Sequence, residues 1–215
     1  MKVGIVGLGL IGGSLAKAYH EAGERVLAHD IDRDVLSFAV ISGAVDEALT
    51  DETMAECDVI LLAVRPAAAV EWLKNHAAKI DKHTVVIDCC GVKREVCETA
   101  FALAREHGFT FLGGHPMAGS EKTGYESSTD HLLENAYYII TPTTKSTPEQ
   151  IDRIREVALA IGALPLVLDY HEHDFSVAAI SHLPHLVASS LVNLVHDNDS
   201  KDEIMKRLAA GGFKD

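Results

Sequence analysis

The sequence predicts an α/β fold: a doubly wound, mostly parallel sheet followed by the beginning of an all-helical region. Three observations carry this expectation. Short β-branched runs alternate with segments of helical periodicity from residue 2 to residue 169. One of those runs, "DVILLAV" (58–64), is apolar at every position after its first residue, as a strand buried on both faces of a parallel sheet must be. After Asp169 the strand signals stop, and the pattern from His171 to Leu208 is helical.

The elements follow in order. "KVGIV" (2–6) opens as a strand and runs into the turn "GLGLIG" (7–12). A helix then extends to about Gly23, a residue suited to ending one. "RVLAHD" (25–30) is the second strand. Val35, Leu36, Ala39 and Val40 repeat at helical spacing and stop at Gly43. Behind Pro66, the positions Val70, Leu73, Ala77 and Ile80 mark the next helix, and "TVVID" (84–88) the next strand. Val92, Val96, Ala100, Leu103 and Ala104 mark a helix that Gly108 ends, followed by the strands "FTFLGG" and "AYYIIT". Thr147 caps a helix with Pro148 in its first turn and Gly162 at its end. "LPLVLD" (164–169) closes the series. Residues 1–169 therefore read as one domain and residues 170–215 as the beginning of a second, with Pro184 expected to kink or break its helix by removing a backbone donor.

Composition narrows the partners. A formal net charge of −13 repels phosphate backbones, so no nucleic-acid partner is expected. The uncharged run "VALAIGALPLVL" (157–168) is too short to span a bilayer, and no membrane partner is expected. Cys57, Cys89, Cys90 and Cys97 show no paired zinc spacing, so no metal is expected. Adjacent cysteines and a strand beginning at the second residue fit a reduced, cytoplasmic protein without a signal peptide.

Gly7, Gly9 and Gly12 form G-x-G-x-x-G between a strand and a helix, the context in which that pattern binds a dinucleotide. Gly7 allows the tight turn, Gly9 lets the backbone approach a pyrophosphate, and Gly12 lets helix and strand pack closely. With Leu10 and Ile11 they place free N–H groups at the helix N-terminus. Asp30 closes the second strand 23 residues after Gly7, near the ~20-residue distance from which a carboxylate binds a ribose 2′-OH. It favours NAD over NADP, a preference that Arg33 can soften. The domain thus reads as Rossmann-type. Ligands of such sheets gather at the carboxyl ends of the strands, where Arg65, "DCCGVK" (88–93) and "GGHPMAGSEKTG" (113–124) fall.

His115 can take up a hydroxyl proton near neutral pH, as oxidation of an alcohol requires. A loop histidine bonded to backbone is the equal alternative. His182 and His185, three apart in "SHLPH", can share a helix face, and no metal-binding partner stands at a matching spacing.

Five segments, "GIVGLGLIGGSLA", "DCCGVK", "GGHPMAGSEKTG", "ISHLPH" and "LAAGGFKD", resemble the prephenate/arogenate dehydrogenases of tyrosine biosynthesis. The resemblance runs from residue 4 to residue 215 and implies NAD-dependent oxidative decarboxylation of prephenate to 4-hydroxyphenylpyruvate by a homodimer. It implies that His115 is the base, that Ser120, His182 and His185 contact substrate, and that Glu121 pairs with a substrate-binding arginine. Two departures stand out. Gly91 replaces a serine that relatives place against the histidine and substrate, and activity is expected to survive this. The chain also stops at Asp215, just before the threonine- or serine-arginine pair whose arginine holds substrate carboxylate in the family, so these 215 residues alone are expected to bind NAD but turn over prephenate poorly. Arogenate is the competing substrate. A β-hydroxyacid dehydrogenase is disfavoured because no lysine lies between His171 and Asp199. A non-catalytic NAD-binding module is the third reading.

Overall fold

A computed structural model describes residues 1–143, 145–210 and 213. Of the closing segment "LAAGGFKD", Gly211, Gly212, Lys214 and Asp215 lie outside the described residues. The chain divides into two compact units, Met1–His173 and Asp174–Asp215.

The first unit is built on β1 (Lys2–Val6), α1 (Leu10–Glu21), β2 (Arg25–His29), α2 (Arg33–Ile41), β3 (Glu47–Ala48), α3 (Asp51–Met54), β4 (Val59–Leu62) and α4 (Pro66–His76). It continues with β5 (Val85–Asp88), α5 (Arg94–His107), β6 (Thr110–Pro116), β7 (Tyr137–Thr141), α6 (Pro148–Leu159), β8 (Leu164–Val167) and the start of α7 (Tyr170–Val177). The strands lie in the order β3-β2-β1-β4-β5-β6-β7-β8. Chain order reverses between β1 and β4, which leaves a crevice beyond their carboxyl ends. β6 runs parallel to β5 over Thr110–Leu112, then pairs antiparallel with β7 from Gly113 to Pro116. His115 therefore lies inside a strand, one ladder beyond where the sequence pattern ended it.

Local chemistry explains the boundaries. The side chain of Asp32 accepts from the N–H groups of Asp34 and Val35 and caps α2. Thr147 and Gln150 form a reciprocal capping box with Pro148 inside the first turn of α6. Gly108 ends α5 in the left-handed region at φ 90°. α1 buries small residues (Gly12, Gly13, Ser14, Ala16 and Ala18), so its axis sits close on the sheet. Apolar side chains cover both faces: Ile5, Leu15, Leu61 and Ile140 on one, Leu62, Leu73, Val86 and Phe111 on the other. Each such large side chain contributes roughly 1.5–3 kcal/mol by leaving water. The Tyr19 hydroxyl, buried under α1, donates to the Val157 carbonyl at 2.8 Å and ties α1 to α6.

In the second unit a π-turn, Ala178–His182, precedes α8 (Leu183–Asn198), and α9 (Ile204–Leu208) follows. The helix is continuous through Pro184, so the expected break does not occur. Pro184 occupies the first turn of α8, and the wider preceding turn accommodates a residue with no N–H. Leu183, Leu186, Val187, Leu191, Val192 and Leu194 of α8 are exposed. By length and composition alone, the helical run Tyr170–Asn198 is long and apolar enough to cross a membrane, a span that the shorter run 157–168 does not include.

Candidate functional site

A cleft of about 980 Å³ opens at the crevice beyond β1 and β4. Gly7, Gly9, Leu10, Ile11, Asp30 and Arg65 all line it, so six of the seven expected cofactor contacts share one wall system. Gly12, the seventh, is buried behind them. A methyl group on Gly12 would stand 1.8 Å from the Gly7 carbonyl oxygen, so its role is the close approach of helix and turn. Gly9 differs. Its φ of −74° suits any residue, and a methyl group there would meet no protein atom within 4 Å. The space in front of it is open, and no side chain caps α1. Its first N–H groups thus face the cleft without an intrahelical partner, the donor set that an anion at a helix N-terminus requires.

Asp30 is held from two sides. One carboxylate oxygen accepts from the Leu8 N–H at 2.6 Å, the other from the Asp32 N–H at 2.9 Å. The same carboxylate that faces the cleft therefore fixes the turn behind it. Helix α4 adds Ala68, Glu71, Trp72, Asn75 and His76 to the lining, a face repeating at helical spacing. The sequence periodicity marks only the opposite, apolar face of α4. Trp72 stacks on His76 with ring centroids 4.5 Å apart.

At the other end the cleft reaches Cys89, Cys90, Gly91 and Ser120. His115 is half-buried just past Gly91: a methyl group on Gly91 would lie 3.8 Å from His115 Nε2. The Ser120 hydroxyl exchanges hydrogen bonds with the Lys122 backbone at 3.2 Å. Glu121 is exposed and does not line the cleft. His182 ends the π-turn and His185 lies in the first turn of α8, both exposed in the second unit. No group of three or more metal-binding side chains occurs among the described residues.

Two features escaped the sequence reading. Asp88 and Lys93 form an ion pair fully removed from solvent. Lys93 also donates to the Gly114 carbonyl, while Asp88 accepts from the Cys90 and Gly114 N–H groups at 3.1 and 3.2 Å. Together they bind the end of β5 to the strand that carries His115. The signal was the spacing of an acid and a lysine across "DCCGVK", bracketing an otherwise apolar strand end. The second feature is His173, almost wholly buried, whose Nε2 lies 2.8 Å from His115 Nδ1. Burial pushes the Cys89 thiol up to about 12 and raises Cys90 too, which favours the protonated thiols near neutral pH.

The family model for the nucleotide-binding domain of prephenate dehydrogenase matches residues 15–166, and that for its dimerization domain matches residues 169–215. A prephenate dehydrogenase of Lactococcus lactis is 36% identical over all of this chain, which spans 59% of that relative and 58% of one from Bacillus subtilis. The Aquifex aeolicus prephenate dehydrogenase crystallised with hydroxyphenyl propionate and NAD+ superposes with a TM-score of 0.86 at 30% identity, over 100% of this chain and 76% of its own. A Synechocystis arogenate dehydrogenase superposes at 0.87 with 31% identity, over 100% and 77%. The two family models follow one another along the chain and together cover most of it, and the chain belongs to the prephenate dehydrogenase family.

Proposed function

We propose that the protein is an NAD-dependent prephenate dehydrogenase, converting prephenate to 4-hydroxyphenylpyruvate and CO2. The observation that carries this reading is the nearness of His115 Nε2 to Gly91, which lines the far end of the cleft that the glycine turn opens. The residues fit the dinucleotide. The bare Cα of Gly9 and the uncapped helix start leave room and donors for a pyrophosphate, and the fixed Asp30 carboxylate suits a ribose 2′-OH while repelling a 2′-phosphate. NAD, when bound, supplies the acceptor for the hydride.

The chain's own residues position and move a proton. His115 Nε2 takes the hydroxyl proton of the ring carbinol as its carbon gives up hydride and becomes a carbonyl. The ring then loses CO2, the electrons of the broken bond complete the aromatic ring, and the phenolic oxygen takes the proton back. His115 lends its nitrogen and needs no net proton uptake. Ser120, His182 and His185 are the proposed substrate contacts, and Glu121 the counter-ion of an arginine on the substrate carboxylate. The exposed apolar face of α8 supports a homodimer in preference to a membrane span, in keeping with the dimerization-domain match. The four free cysteines support a cytoplasmic protein. Residues 1–169 and 170–215 are the proposed domains.

Arogenate is the second reading, favoured by the equal likeness to the Synechocystis enzyme. The experiment offers prephenate, arogenate and a 3-hydroxyacid to the full-length protein with NAD or NADP and follows the reduced nicotinamide band. We expect turnover with prephenate and NAD. A protein that binds NAD but reduces it with none of the three is a binding module, and the proposal fails.

A further inference from the structure

We propose that His173 is a positioning residue that holds His115 in its proton-accepting tautomer. The inference rests on the dehydrogenase reading for its purpose, but its geometry is independent of that reading. His115 shares a face of β6 with Phe111 and Gly113, the face against which α5 packs. The start of α7 lies on the same side, with Tyr170 6.4 Å from Phe101 of α5 between ring centroids. Asp169 fixes that start: its side chain accepts from the His171 and Glu172 N–H groups at 2.9 and 3.4 Å, and its carbonyl accepts from the His173 N–H at 2.9 Å. His173 is thereby delivered, buried, against His115, its Nε2 2.8 Å from His115 Nδ1 and the two rings inclined at 72°. At that distance one proton lies between the two nitrogens.

Two arrangements satisfy the contact. If His173 Nε2 donates, neutral His115 carries its own proton on Nε2 and cannot accept one from a hydroxyl at the cleft. If His115 Nδ1 donates, Nε2 offers its lone pair on the Gly91 side, where the cleft ends. Only the second arrangement makes a base of His115, and it requires His173 to carry its proton on Nδ1. The logic is that of a carboxylate orienting a catalytic imidazole, with a neutral acceptor in place of an anion. A neutral acceptor suits a reaction in which the proton is borrowed and returned, because it orients His115 without making it hold the proton too tightly.

The test uses the full chain with 15N-labelled histidine. Nitrogen shifts in the neutral form report which nitrogen of His115 carries the proton, with His115→Gln assigning the signal. We expect the Nδ1–H form in the parent protein and loss of that preference in His173→Leu. His173→Gln, whose amide oxygen can accept from Nδ1–H, restores it. With prephenate and NAD, His173→Leu is expected to lower kcat about tenfold or more with little change in KM, and His173→Gln to recover much of it. A parent His115 protonated on Nε2, or a tautomer unchanged in a folded His173→Leu, overturns the proposal. If prephenate proves not to be the substrate, the nitrogen shifts still decide it.

Discussion

One methyl group added at Gly9 and one at Gly12 should separate what the turn does for a ligand from what it does for the fold. In Gly12→Ala the new carbon would lie 1.8 Å from the Gly7 carbonyl oxygen, 2.9 Å from its carbon and 3.1 Å from Ala63 Cβ. The first two are backbone atoms with no rotamer to turn, so the turn itself must move. Overpacking of this kind costs about 3 kcal/mol or more. At about 2–4 °C per kcal/mol for a chain of this size, Tm should fall by roughly 6–12 °C. In Gly9→Ala nothing lies within 4 Å, and φ −74° with ψ −160° is open to alanine. Alanine is a poorer N-cap than glycine by about 0.5 kcal/mol, and the lost freedom of the unfolded chain returns about 0.4–1 kcal/mol. Tm should therefore stay within about 3 °C of the parent. The same methyl group occupies the space a pyrophosphate would fill, so the Kd for NAD should rise about tenfold or more, at least about 1.4 kcal/mol. Thermal unfolding and titration calorimetry on the two variants decide it. A folded Gly9→Ala protein with parental NAD affinity refutes the placement of the pyrophosphate, and an unperturbed Gly12→Ala refutes the packing argument.

Gly91→Ser adds its side chain 3.8 Å from His115 Nε2 without a clash. One neutral hydrogen bond is worth about 1 kcal/mol, so kcat should change by less than about tenfold. A rise of several orders of magnitude would mean that the glycine cripples the site. Lys93→Met leaves the buried Asp88 carboxylate without its cation and should cost about 3–5 kcal/mol in denaturant unfolding. Adding Asp88→Asn should recover part of that loss, and strict additivity would exclude coupling. Burial raises Cys57 and Cys89 to about 12. At pH 8 about one such thiol in 10⁴ is ionised, so iodoacetamide should leave the fully buried Cys57 unlabelled in the folded protein, and its rapid labelling would refute that burial. The folded state favours the protonated thiol, so this contribution is fully present below the unfolded-state value of about 8.5 and is lost as pH rises toward 12. Stability should accordingly be lower at pH 10.5 than at pH 8.

Long periodic elements and the glycine turn were legible because each is dictated locally. The strand "KVGIV", the capped helix behind Thr147 and the stops at Gly108 and Gly162 depend on neighbours a few residues away. The two-residue β3 and the four-residue α3 were not legible, because neither is long enough to show a period. The extension of β6 through His115 was hidden for a different reason. Its hydrogen bonds come from β7, across the 20 residues between Pro116 and Tyr137, a pairing that no local pattern announces. His173 stood among several histidines of a helical stretch, and only the fold brings it 58 residues back to His115.

A buried aspartate–lysine pair is a weak device for stability, since removing two charges from water costs nearly as much as their attraction returns. Its location argues for another use. Asp88 ends β5 and Lys93 precedes α5, and between them lies the loop that brings Gly91 to the cleft. Further hydrogen bonds of the pair go to the N–H and carbonyl of Gly114, the residue before His115. A hydrophobic pair of equal volume would fill the same space and fix no direction. The ionic pair, with its further hydrogen bonds to Cys90 and Gly114, fixes the height of Gly91 against His115. On the other side the Asp169 cap and His173 fix the ring of His115. Nε2 is thus aimed by contacts from β5, β6 and α7, none of which depends on a bound ligand. For the proton transfer proposed above, that is the preorganisation required, with the cost of ordering the site met in folding, before substrate arrives.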